Sequence, residues 1–141
     1  MIKEVTRYYS DIDFGHQFYT KEEAAEFEKT YKPFYELNDE VELCLNEVRK
    51  IPYPKHYPEP EKLAKTYFDK AKELLDKWLD NEYHAKIVGA STFERLRSIE
   101  YNKDDISYVT NLFEGTERWN IISNLFDNIY WIDWILDYGN L

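Results

Sequence analysis

Four of the five prolines fall within nine residues, at Pro52, Pro54, Pro58 and Pro60, and nothing else in the chain restricts its folding so sharply. Each ring fixes φ and removes a backbone N–H, so neither a helix interior nor a central strand can run through this stretch. Pro52-Tyr53-Pro54-Lys55-His56-Tyr57-Pro58-Glu59-Pro60 is expected to be an extended, polyproline-like connector. Pro60, at its end, suits the first position of a helix. A helix from Pro60 to about Asn81 follows from the apolar spacing. Leu63, Tyr67, Ala71, Leu74 and Trp78 make one stripe, which Ala64, Phe68, Leu75 and Leu79 widen. Glu61–Lys65 and Glu73–Lys77 are well oriented i,i+4 pairs on the wet side.

Before the prolines, Ile2 to Ser10 and Gln17 to Tyr19 are rich in β-branched and aromatic residues. Asp11-Ile12-Asp13-Phe14-Gly15-His16 between them supplies turn residues, so a β-hairpin is expected. Thr20-Lys21-Glu22-Glu23 is a capping box that starts a helix with Ala24, Phe27 and Tyr31 on one face. Pro33 should end that helix or follow its end. Asn38 could then cap a second helix carrying Val41, Cys44, Leu45 and Val48; a strand using Val41, Leu43 and Leu45 is the alternative.

Beyond the long helix, Ser91-Thr92-Phe93-Glu94 is a second capping box, opening a short helix with Phe93 and Leu96 inward. Asp104 and Asp105 open another, with Ile106, Val109 and Phe113 inward and Gly115 as its C-cap. Thr116 should cap a final helix ending near Gly139. In it, Ile122, Leu125, Ile129, Ile132 and Leu136 alternate at +3 and +4, a core seam. Asp127, Trp131, Trp134 and Tyr138 keep a similar spacing two residues out of phase, about 200° round the helix. A helix apolar on both sides is usually buried, so this second face is expected inside the monomer; a self-association or partner surface is the alternative.

The expected fold is therefore α+β and mainly α: an N-terminal β-hairpin and helix over residues 1–34, then a bundle of about four helices over 35–141. No repeat and no low-complexity tract divides it, and 141 residues suit one domain.

Charge narrows the function classes. Twenty-eight acids against 18 bases leave a net −10, the wrong sign for a phosphate-binding or anionic-membrane-binding surface. The segment up to Tyr57 has 12 acids and 8 bases, the next up to Ser98 has 8 and 8, and the last has 8 and 2. More than half of the excess thus lies in the C-terminal third. Cys44 is the only cysteine, which excludes an internal disulfide and fits a reducing compartment. No apolar run approaches the roughly 18 residues of a membrane span, and Met1-Ile2-Lys3-Glu4 does not begin a signal peptide. The expected location is the cytoplasm.

No residue set has catalytic or metal-ligating spacing. His16, His56 and His84 are scattered, and none pairs with another at i, i+4. Asp11 and Asp13 beside His16 read as turn chemistry rather than as a cation site. Cys44 lies on an apolar face and reads as a buried structural thiol. The acid pairs Asp104/Asp105 and Glu94/Glu100 are explained by capping and solvation. Four scattered glycines form no phosphate loop. The expectation is a protein without enzymatic activity, without a cofactor and without a metal.

Surface chemistry remains. Glu36, Asp39, Glu40, Glu42 and Glu47 cluster beside the Tyr53–Tyr57 loop. A second candidate is Asp127, Trp131, Asp133, Trp134, Asp137 and Tyr138 in the C-terminal third. Spread carboxylates can imitate the phosphates of a nucleic acid and occupy a basic groove. The expected partner is a protein with a basic or nucleic-acid-binding surface, with no direct contact to nucleic acid or membrane; a homodimer is possible on the same apolar face. The 13 Tyr, 8 Phe and 4 Trp fit the codon bias of an AT-rich genome first, and compatibly with it an interface protein.

Tyr8-Tyr9, the Asp13-Phe14-Gly15 turn and Phe18-Tyr19-Thr20-Lys21-Glu22-Glu23-Ala24-Ala25 with Glu28 form a further pattern. It resembles the strand, Asp-Gly turn, strand and F-x-T-K-E-E-A helix start of small proteins from phages and mobile elements of Gram-positive bacteria. Here Phe14 separates the Asp and the Gly. Some small acidic proteins of that origin are anti-CRISPR or anti-restriction inhibitors. The resemblance covers about the first 30 residues and implies a phage-encoded inhibitor of a host defence or nucleic-acid-processing protein. An immunity protein that neutralises a cognate toxin is the alternative with the same size and charge.

Overall fold

A computed structural model describes residues 6–10, 13–50, 60–116 and 119–139, and only the backbone of 13–16, 60–62 and 136–139. Strands β1 (Tyr8–Ser10) and β2 (Asp13–Phe18) form an antiparallel hairpin. Helices α1 (Lys21–Lys50), α2 (Pro60–Leu79), α3 (Glu82–Val88), α4 (Ala90–Arg97), α5 (Lys103–Phe113) and α6 (Asn120–Gly139) follow. The protein is mainly helical with a small β part, as its sequence patterns require. The proline connector 52–59, with Tyr53, His56 and Tyr57, and the residues Asp11 and Ile12 lie outside the described residues.

The hairpin is tighter than its sequence suggests. Tyr8 faces Phe18 and Ser10 faces Asp13, with a register shift between the two pairs. The Asp13–His16 stretch, expected in the turn, is therefore strand. Thr20 caps α1 as anticipated, accepting the Glu23 amide at 3.1 Å.

The larger correction concerns α1. Pro33 does not end it, and Asn38 does not cap a new helix; both lie inside one 30-residue helix. Proline in a helix interior costs about 3 kcal/mol. Phe27, Tyr31, Phe34, Leu37, Val41, Leu45 and Val48 form one continuous buried stripe across it. Each fully buried side chain of this size contributes about 1.5–3 kcal/mol, so the stripe outweighs the proline several times over. Pro33 itself lies on the exposed side. Asn38 is buried: its amide donates to Glu42 Oε1 at 3.3 Å, and its Oδ1 accepts from the Asn128 amide at 2.9 Å. It ties α1 to α6 instead of starting a helix. Leu43 is exposed, as the helix requires and the alternative strand does not.

Three further boundaries differ. His84, expected in an inter-helix segment, lies on α3, whose N-cap Asn81 accepts the Tyr83 amide at 2.9 Å. The second capping box lies inside α4, because Gly89, at φ +86°, already takes the N-cap position and ends α3. Thr116 closes the preceding helix rather than opening the next: its hydroxyl donates to the Phe113 carbonyl at 2.6 Å, and α6 begins at Asn120. A bundle of four helices after residue 35 is thus replaced by one helix crossing that boundary and five more.

α6 is the centre of the packing. α1, α2 and α5 all lie against it, and Ile122, Leu125, Phe126, Ile129 and Ile132 are fully buried. Phe68 of α2 meets Phe126 edge-on at 6.1 Å. The Ser123 hydroxyl donates to the Thr110 carbonyl at 2.8 Å and aligns α5 with α6. Buried residues from Phe18 to Ile132 form a single core cluster.

Candidate functional site

Glu36, Asp39, Glu40, Glu42 and Glu47 are all exposed on α1. At about 100° per residue, Glu40 and Glu47 lie within about 40° of Glu36, whereas Asp39 is about 60° to one side and Glu42 about 120° round. The structure thus gathers Glu36, Glu40 and Glu47 into a line with Asp39 on its flank, and it leaves Glu42 apart, bonded to Asn38. Leu43 belongs to the same line and is 68% exposed, an apolar side chain between Glu40 and Glu47. The sequence pattern used Leu43 only in the alternative strand; its place in the helical line was the missed signal. Two of these acids have exposed lysine partners, Lys70–Glu40 at 3.7 Å and Lys50–Glu47 at 3.5 Å. Such surface pairs contribute little and part readily. Asn38, on the α6-facing side, is about 200° from Glu36, so the line faces away from the core.

The second face of α6 is only partly covered. Trp131 is 38% exposed and Trp134 is half-buried; their rings meet edge-on at 5.4 Å. The expectation that this face lies inside the monomer is corrected at Trp131. Among the described residues, α6 packs against α1, α2 and α5. Asp127 is half-buried, and burial pushes its carboxyl above the usual range. A hydrogen bond from Trp131 opposes that shift, and the negative charge of Glu114 adds to it. Asp133 faces inward: the Tyr101 hydroxyl donates to Oδ1, and Lys103 Nζ lies 3.4 Å from Oδ2. Its role is to hold the α4–α5 junction to α6, so it is not reserved for a partner. Asp137 and Tyr138 belong to α6, but their side chains lie outside the described residues, as do Tyr53 and Tyr57.

A third feature was not legible in the sequence. A cleft of about 300 Å³ opens where the first turns of α1 meet the α2–α3 corner, lined by Glu23, Glu26, Tyr31, Tyr83, His84 and Trp119, among others. His84, Asn81, Thr30 and Glu26 also line an adjoining cleft of about 230 Å³. His84 is buried and stacks on Trp78 at 4.2 Å with the rings 9° apart. Its Nδ1 lies 2.7 Å from the Trp78 carbonyl, which can only accept, so Nδ1 carries the proton. Burial pushes the imidazole below its usual value, and the carbonyl contact partly opposes that shift. The ring is therefore neutral near pH 7, and Nε2 is left as an acceptor. The Trp78 indole donates to Tyr31 Oη at 3.0 Å and fixes the back wall.

Among the described residues, no three or more His, Cys, Asp or Glu are grouped to hold a metal. Cys44 is half-buried; burial raises its thiol, a Tyr67 hydrogen bond opposes this, and Glu40 adds to it. That is the opposite of an activated nucleophile. Asp105 is committed to Arg95, the Glu100 amide and Asn102. Its neighbour Asp104, like Glu94 and Glu100, is exposed. No helix among the described residues is long and apolar enough to cross a membrane. Comparison with known protein families, with characterised proteins and with solved structures finds no match to this chain.

Proposed function

We propose that this chain is a non-enzymatic binding protein whose α1 outer face docks on a basic surface of a protein that handles nucleic acid. The observation that carries the reading is Leu43, exposed at 68% within the line of Glu36, Glu40 and Glu47 on a long helix anchored to the core. An apolar centre with a charged rim is the usual anatomy of a protein interface. Glu36, Asp39, Glu40 and Glu47 span about 17 Å of helix, about one acid per 6 Å. A single DNA strand presents one phosphate per about 3.4 Å of axis. A groove built for phosphates would meet a sparser row of negative charge, held on a rigid rod. The net −10 of the chain speeds approach to such a groove and repels nucleic acid itself.

Within this reading the protein inhibits a defence or nucleic-acid-processing enzyme of a host. An immunity role toward a basic toxin would place the same demand on the same surface. The test is photo-crosslinking from position 43 in cells carrying the native gene, with a benzophenone side chain replacing Leu43. One dominant basic protein should be captured, and replacing Glu36, Glu40 and Glu47 by Gln should abolish its capture. Capture that is indifferent to those substitutions, or none, refutes the assignment of this face.

A further inference from the structure

We infer that the cleft between the start of α1 and the α2–α3 corner is a binding site for a guanidinium group. Four observations converge on it. Its walls include the aromatic rings of Tyr31, Tyr83 and Trp119. The carboxylates of Glu23 and Glu26, both at its edge, form no ion pair among the described residues. No lysine or arginine is among its lining residues; Lys29 and Lys77 line only the adjoining cleft. His84 lines it and is 7% exposed, and its Nε2 has no hydrogen-bond partner among the described residues. A buried acceptor without a donor marks a place where a donor belongs.

The chemistry selects the ligand. The cleft also holds the Thr30, Tyr31 and Tyr83 hydroxyls and the Asn81 amide, but its two carboxylates and its neutral imidazole nitrogen accept only, which favours a ligand that brings N–H groups and positive charge. Aromatic faces favour a cation, and a flat one above all. A guanidinium is planar, carries five N–H donors and is less strongly hydrated than an ammonium, so it can meet acceptors at its edge while a ring covers its face. A quaternary ammonium offers no donor to Nε2. The group can belong to a free small molecule or to an arginine of a protein chain. This site lies on a different side of α1 from the Glu36–Glu47 line and stands or falls separately from it.

The test uses the full ¹⁵N-labelled chain. Agmatine is titrated while the His84 ring nitrogens and the Trp119 indole N–H are followed by NMR. N-butylurea, flat and able to donate but uncharged, and 1,4-diaminobutane, charged but without the guanidinium, are the controls. Saturable shifts at these two residues are expected with Kd of about 1 mM or tighter. The combined Glu23→Gln and Glu26→Gln variant, altered only at exposed positions, should bind at least about 10-fold more weakly. A capped arginine amide tells the sources apart: binding as tight as agmatine assigns the site to an arginine of a partner, and binding by agmatine alone to a free small cation. The inference is overturned if no saturable shift occurs, if N-butylurea or 1,4-diaminobutane gives the same shifts, or if the Gln variant binds agmatine as tightly as the parent. None of these results bears on the Leu43 crosslink.

Discussion

Replacing Asp105 by Ala should remove about 3 kcal/mol of stability, because this buried carboxylate holds the α4–α5 junction together. Its Oδ2 accepts from the Glu100 amide at 2.7 Å and from the Asn102 side chain at 3.2 Å, and its Oδ1 accepts from Arg95. A hydrogen bond to a charged group contributes about 1.5–3 kcal/mol and a weaker one about 0.5–1.5, so the first two contacts together are worth about 2–4.5 kcal/mol. The half-exposed Arg95 supplies a further charged contact, weakened in part by water. The Asn102 cap of α5 uses the Asp105 amide at 2.8 Å and survives the substitution. For 141 residues, at about 2.1 cal/mol/K each, a loss of about 3 kcal/mol lowers Tm by about 10 °C. The variant Asp105→Asn keeps an acceptor and should lose about half as much.

The same carboxylate predicts a pH dependence. The Arg95 hydrogen bond, helped by the Glu100 amide, holds Asp105 below the ordinary 3.8 despite its burial. A depressed folded pKa means that the unfolded chain binds the proton more readily. The stabilisation is therefore complete above about pH 4 and is lost as the pH falls through the lower folded value. Urea denaturation at several acid pH values measures this. A loss below about 1 kcal/mol at neutral pH, or an acid limb unchanged in Asp105→Asn, would refute the reasoning.

Three shorter expectations follow from the same contacts. His84 titrates below its ordinary 6.5 because it is buried, so stability should fall as pH drops from about 6.5 toward the lower folded value; His84→Phe should flatten that slope in thermal melts between pH 5 and 7. Cys44, with its thiol raised by burial, should react with a thiol reagent at pH 8 much more slowly than in the urea-unfolded chain; equal rates would mean that Tyr67 and the helix do not shield it. Trp131→Ala should cost less than about 2 kcal/mol, against about 3–5 for a fully buried tryptophan, and the variant should stay folded by circular dichroism.

The fold was legible wherever apolar spacing was long and uninterrupted. The Pro60–Leu79 helix, the seam of α6 and the Ile106, Val109 and Phe113 face of α5 all follow from periodicity alone. It was illegible where a strong local signal lost to packing. Pro33 and Asn38 are sound stop and start signals, yet the buried stripe of α1 from Phe27 to Val48 overrides both. α3 was hidden for the opposite reason: His84 is its only buried residue, and Tyr83 and Ile87 are exposed, so no apolar period marks it. The candidate surface was half legible. The acids could be located from sequence, but which of them share a line with Leu43 depends on α1 being unbroken. The His84 cleft joins β2, α1, α3 and Trp119 across distant parts of the chain, and no spacing rule reaches that far.

The central claim is that the α1 outer face meets a basic partner through charge. Its most direct test is the association rate of this chain with the protein captured from position 43, measured across ionic strength. The account predicts that association slows steeply between about 0.05 and 0.5 M salt, as the Debye length shortens to a few ångströms. The Glu36→Gln, Glu40→Gln, Glu47→Gln variant should start about 10-fold slower and depend much less on salt. A rate that ignores salt, or one that the three substitutions leave unchanged, would contradict it.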